Sequence, residues 1–235
     1  MLRPPRSLMR RALAAICAAF VLLAPTYALA RAYGQYDLKL LLEPSPSAGK
    51  GGTFNVAYLD RMLQDLGQHA ANYPPQFDSA QDQQRAQRNA ASLMGMLDAG
   101  FGAAAPPELL LRMGALGTYG HNLELPDAPA YAETRFTRLL QTNPEHVAGN
   151  YHYGQFLAGT GRAKEALPYL TKAKDKGVVA ALYALGMVHL SLGDKPRAIE
   201  MLTAYQRAEP TNGSVGKLIQ AIREGKMEVK RVGGK

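Results

Sequence analysis

Five histidines, His69, His121, His146, His152 and His189, are the side chains best suited to metal ligation or proton transfer in this 235-residue chain. Two imidazoles on one helix face bind one ion when they stand four residues apart, and no pair here has that spacing. The sole cysteine, Cys17, lies inside an N-terminal apolar run behind Ile16, which does not make a lipidation site. No G-x-S-x-G elbow lifts a serine into the open. Gly49-Lys50-Gly51-Gly52-Thr53 has the glycines and lysine of a phosphate loop without the G-x-x-x-x-G-K-[ST] spacing or a buried strand before it, so it reads as a flexible linker. Gly159-Thr160-Gly161 belongs to a helix turn. Glu124 and Asp127 fall in a loop, where carboxylates are solvated. Asn212-Gly213-Ser214 is a glycosylation acceptor only in a cell that glycosylates exported proteins. An enzyme would need its constellation in residues 54–120, which offer His69 and a few acids. The expectation is therefore no catalytic residues, no cofactor and no metal, and a function of recognition.

At the N-terminus, Arg3, Arg6, Arg10 and Arg11 precede an apolar run from Ala12 to Leu23, then Pro25 and the small-residue site Ala28-Leu29-Ala30. A basic region, a short apolar stretch and an A-x-A site describe a secretory signal peptide, with cleavage expected after Ala30. The alternative is an uncleaved anchor, since Ala12 to Ala30 is almost long enough to span a bilayer. Arg10-Arg11 lacks the flanking residues of a twin-arginine signal. Cleavage removes four arginines and no acid, so the formal charge falls from +8 to +4. That is too modest to imply nucleic acid. The cysteine leaves too, and roughly 200 residues must hold together through packing alone. No second apolar run is long enough for a membrane span. A periplasmic or secreted protein follows.

Residues 31–53 read as an extended arm and linker, in which Tyr36 to Leu40 alternates apolar and polar and Glu43 to Gly52 is rich in Pro, Ser and Gly. Residues 54–120 form an N-terminal helical segment. One helix runs from about Thr53 to Asn72, with Leu59, Met62, Leu63 and Leu66 at i, i+3, i+4, i+7. A second runs from Asp78-Ser79 to about Asp98, with Ser79 and Asp82 as a capping pair and a polar first half expected to face water. A third opens at Pro106-Pro107 and extends through Tyr119. Residues 130–224 hold repeats and a closing helix from Ser214 to Glu224, with Val215, Leu218, Ile219 and Ile222 on one side. Residues 225–235 are a basic tail.

Two stretches share one punctuation. Asn150-x-x-Tyr153-Gly154-x-x-Leu157 leads to Gly161 and Ala166-x-x-x-Leu170; Leu182-x-x-Leu185-Gly186-x-x-His189 leads to Gly193, Ala198-x-x-x-Leu202 and Pro210. Each first glycine precedes its alanine by twelve residues, and each turn glycine by five. Small residues are required where two antiparallel helices cross closely, which places Gly154, Gly186, Ala166 and Ala198 at crossings. Tyr153, Leu157, Leu167, Leu170, Leu185, Ile199 and Leu202 fill the space between. Ala132-x-x-x-Phe136, with Pro144, is a degenerate third copy whose first helix contains Leu116-Gly117, joined by a longer loop from His121 to Pro129.

This pattern resembles the tetratricopeptide repeat, a helix–turn–helix unit of about 34 residues. The resemblance implies an all-α fold, a right-handed α-α superhelix of helical hairpins, with the helical segment ahead of it. Position 150 holds Asn where the family has a large aromatic residue, and the first good copy is two residues short. His189 stands at an aromatic slot of the repeat, so it is expected to be packed and not to bind metal. In such proteins the first helix of each repeat lines a concave groove. Carried over position by position, the groove slots hold Ala148, Tyr151 and Gln155, then Ala180, Tyr183 and Met187, with Lys217 extending the stripe. Tyr151 and Tyr183, one repeat apart, are expected to stack as neighbours. The implied function is an exported adaptor or scaffold that binds a protein or peptide in the cell envelope. The alternative is a self-associating structural component, a homo-oligomer.

Overall fold

The computed structural model describes residues 32–43 and 53–227. The expected leader and its expected cleavage site, Cys17, the stretch 44–52 and the residues beyond 227 lie outside the described residues. Two two-residue strands, β1 (Leu42–Glu43) and β2 (Thr53–Phe54), pair antiparallel with Leu42 opposite Phe54. The rest is helical: α1 (Val56–Ala70), α2 (Ala80–Gly100), α3 (Pro107–Asn122), α4 (Ala128–Thr142), α5 (Val147–Gly159), α6 (Ala163–Asp175), α7 (Val179–Ser191), α8 (Lys195–Ala208) and α9 (Gly213–Arg223).

Local chemistry sets these boundaries. Asn55 caps α1 by accepting the Tyr58 N–H at 2.9 Å, and Leu59, Met62, Leu63 and Leu66 are all buried as their spacing requires. Ser79 caps α2 by accepting the Asp82 N–H at 3.1 Å. Pro107 opens α3, where its missing N–H would have no helical partner. Gly161 and Gly193 take φ of 82° and 83° in the turns α5–α6 and α7–α8, a left-handed conformation that glycine enters without a Cβ penalty.

From α3 onward the chain is a stack of antiparallel hairpins, α3/α4, α5/α6 and α7/α8, closed by α9. The small residues mark their crossings. A Cβ on Gly154 would lie 2.6 Å from Leu170 Cγ, and one on Gly186 would lie 2.7 Å from Leu202 Cγ. Ala166, Ala198, Leu170 and Leu202 are fully buried beside them, while Leu167 and Ile199 are half-buried at the edges. The successive cores run through Phe136, Tyr153, Leu157 and Leu170, then Leu190, Leu202, Val215 and Ile222. Each such large side chain contributes about 1.5–3 kcal/mol by burial. All-helical hairpin stacking of consecutive elements is the architecture of a tetratricopeptide-like solenoid.

Three local expectations change. The α3/α4 pair is a full hairpin: a Cβ on Gly117 would sit 2.7 Å from the Ala132 backbone N, and α3 runs on through Asn122, leaving Leu123 to Asp127 as the connection. The piece expected to be extended contains a 3-10 turn, Leu38–Leu41, capped by Asp37 through the Lys39 N–H. Finally, the polar first half of α2 does not face water alone. Asp82 and Ala86 are buried, and Arg85 donates to the carbonyls of Tyr33 (2.5 Å) and Gly34 (3.2 Å). The residues ahead of β1 dock there, with Tyr33 only 2 % exposed. Hydropathy cannot distinguish a polar face toward solvent from one that hydrogen-bonds a backbone.

Candidate partner-binding face

Helices α5 and α7, thirteen residues each, contain no Asp, Glu, Lys or Arg. One side of each packs inward, through Tyr153, Phe156 and Leu157 and through Leu185 and Val188, while Leu190, on the same side of α7 as Tyr183, is buried in the last core. The other side retains Val147 (38 % exposed), Val179 (36 %) and Tyr183 (39 %), with Gln155 and Ala180 also exposed. Charge is carried instead by the flanking helices and turns. Arg162 spans Glu133 and Glu165 at 2.6 Å each, Lys172 meets Glu145 at 3.1 Å, and Arg197 meets Asp194 at 3.5 Å.

The sequence-derived groove residues fall as follows. Tyr151, on α5, is half-buried with its ring against His152 at 5.2 Å, and burial, helped by the nearby Tyr205, pushes its phenol up from the usual range. Tyr183, on α7, packs its ring against Tyr205 of α8 at 5.4 Å, not as a stacked neighbour of Tyr151. Ala148 is half-buried. Met187 packs into the last core with Ile199, Tyr205 and Leu218. Lys217 stands exposed on α9. Tyr205 is the residue that inspection of the first helices alone passes over. Its signal was available, since an antiparallel hairpin sets the start of α7 against the end of α8.

The remaining titratable groups serve the fold. His146 caps α5, its Nδ1 accepting the Gly149 N–H at 3.0 Å, which leaves the proton on Nε2 to face Glu108 at 3.3 Å. His189 is largely packed, 3.8 Å from Asp194. Asp65 and His69 stand four residues apart on α1, a spacing that a search for paired histidines misses. His69 Nδ1 donates to the Gln76 carbonyl at 2.9 Å, and its ring stacks on Phe77 at 4.8 Å. Asp65 accepts the Gly34 N–H at 2.8 Å and the Tyr36 hydroxyl at 2.7 Å. This buried cluster fastens the N-terminal residues to α1. Among the described residues, no three His, Cys, Asp or Glu gather as a metal site. A cavity of about 260 Å³ lies between Leu140, Asn150, Tyr153 and Tyr169. Another of about 320 Å³ lies beside Asp98, Leu110, Arg135 and Arg138, where Arg135 is already bound to Asp98 and lies over the Tyr131 ring.

A family model described as tetratricopeptide repeat matches residues 129–178, which take in α4, α5 and α6. No curated protein and no solved structure matches the chain. The match supports a tetratricopeptide-like family for the repeat region. Such repeats generally mediate protein–protein interaction as scaffolds and are typically not catalytic, their stacked helices offering an extended surface.

Proposed function

We propose that this protein is an adaptor that holds a segment of a protein or peptide partner on the outer face of α5 and α7, in the cell envelope after export. One observation carries the binding half: two consecutive first helices lack charged side chains yet leave Val147, Val179 and Tyr183 exposed. A helix without ionised side chains loses little by being covered, so this face is suited to it. Tyr151 and Tyr183 are the proposed anchors, because tyrosine buries much area with little entropy loss. Gln155, Met187 and Lys217 flank them. Support for export is the arrangement of Arg3 to Arg11, the apolar run and Ala28-Leu29-Ala30; intact mass of protein from the native host is expected to lack residues 1–30.

The test is to isolate a partner from the native envelope fraction, then titrate it against Tyr151→Ala, Tyr183→Ala and a chain lacking residues 226–235. Each tyrosine variant is expected to lose about 1–3 kcal/mol of affinity, with a smaller loss of stability in Tyr183→Ala than in Tyr151→Ala, whose ring packs against a core. Normal binding by Tyr183→Ala, with binding abolished by the tail deletion, would move the site to the tail. The same exposed valines and Tyr183 also suit self-association. Sedimentation separates the two, since a stable oligomer that dissociates on Tyr183→Ala selects the second.

A further inference from the structure

A candidate ligand site lies between α4, α5 and α6, in the open cavity of about 260 Å³. Asn150 lines it from α5 and is only 2 % exposed. Both protons of its side-chain amide are committed, since Nδ2 donates to the Pro144 and His146 carbonyls at 3.0 Å each. Two carbonyl acceptors on one atom also fix that atom as the nitrogen. Oδ1 then accepts from no group among the described residues. An acceptor left without a donor in a buried side chain is costly, and the cavity is the space from which a donor can reach it.

The other walls describe what should carry that donor. Tyr153 commits its hydroxyl to Glu133 at 2.6 Å and so offers the cavity its ring. Tyr169, from α6, stands edge-on to that ring at 4.7 Å, and Leu140 and Pro144 add aliphatic wall. Such walls favour a flat ring packed edge-to-face or offset-stacked. A cavity of roughly 150 Å³ holds a benzene, so this one has room for one ring or two fused rings. Charge of either sign is disfavoured. Lys172 stands at the rim, 3.1 Å from a Glu145 carboxylate that it shares with Lys176, and opposes a cationic ligand. An anion could meet Lys172 but would leave the Asn150 oxygen without a donor.

We propose that this cavity binds a neutral aromatic ring carrying an N–H or O–H donor. The donor bonds Asn150 Oδ1 while the ring lies against Tyr153 and Tyr169. A tryptophan or tyrosine side chain of a partner and a free small aromatic molecule present this same chemistry.

The chain contains no tryptophan, so indole fluorescence excited beyond the tyrosine band reports the bound ring alone. The full chain is titrated with indole, with N-methylindole, which keeps the rings and loses the donor, and with an end-blocked Gly-Trp-Gly peptide. Saturable indole binding is expected, weakened about fivefold by the methyl group. Asn150→Leu, similar in size and lacking the oxygen, is expected to bind both indoles alike. Tyr169→Ala is expected to weaken both by about fivefold. Melting curves establish that each variant is folded, and should Asn150→Leu not fold, the two indoles in the parent chain and Tyr169→Ala still decide. Peptide binding at or above the affinity of indole assigns the ring to a partner's side chain, and a weaker or absent response to the peptide assigns it to a free molecule. No saturable indole binding, equal affinity for the two indoles in the parent chain, unchanged binding in folded Tyr169→Ala, or displacement of indole by benzoate or benzylammonium overturns the proposal.

Discussion

Tyr151 and Tyr183 occupy equivalent slots of consecutive hairpins, yet their surroundings differ: one ring lies half-buried against His152, the other projects beside Tyr205. His152 bears a consequence of this crowding. Burial holds its imidazole below the usual range, so the folded protein binds that proton less readily than the unfolded chain. Stability from this site is intact above the unfolded value, near pH 6.5, and declines as pH falls toward the lower folded value. Melting curves at pH 7.5 and pH 5.5 are expected to lie closer together in His152→Gln than in the parent. An unchanged gap would show that His152 does not contribute. At this scale the sequence was partly informative. The groove slots followed from spacing, whereas Tyr205 and the Asp65–His69 pair depend on which helices meet.

Hairpin crossings are where element-scale predictions are sharpest. A Cβ at Gly117 meets the Ala132 backbone, which cannot swing aside, while one at Gly159 meets nothing within 4 Å. Gly117→Ala is expected to destabilise by about 1–3 kcal/mol, and Gly159→Ala to shift stability by no more than about 0.5 kcal/mol. Ala166→Leu and Ala198→Leu overpack buried crossings, with a similar penalty of about 1–3 kcal/mol, whereas exposed Ala80→Leu leaves stability nearly unchanged. Thermal melts check all five, and equal melting temperatures would contradict the hairpin register. The repeat was legible because a close crossing admits few residue types, so Gly154, Gly186, Ala166 and Ala198 recur at fixed spacing. The α3/α4 hairpin was harder to see because its connection, Leu123 to Asp127, is longer than the three-residue turns after α5 and α7. The docking of residues 32–37 was not legible at all. It rests on Arg85, Asp65 and Tyr36 bonding partners about 30 to 50 residues away, a long-range pairing that local periodicity does not encode.

On the scale of the molecule, one core joins the N-terminal residues, α1, α2 and α3, and two further cores continue through the hairpins to α9. After Glu108 no residue of α3 is fully exposed, because α1, α2, α4 and α5 surround it. α3 therefore offers a partner little surface of its own. The N-terminal residues are part of this enclosure, so Tyr33→Ala is expected to lower stability by about 3–5 kcal/mol, measured by denaturant unfolding. An effect below about 1 kcal/mol would mean the docked residues are dispensable. In the described residues, no helix is long and apolar enough to cross a membrane.

The proposed contact between the α5/α7 face and a partner can be captured covalently. A photo-crosslinking phenylalanine derivative placed at Tyr183, and separately at exposed Glu200 on α8, reads it directly in the native host. A discrete crosslinked partner is expected from position 183, diminished by Tyr151→Ala, and none from position 200. Equal crosslinking from both positions, or crosslinking from position 200 alone, would contradict it.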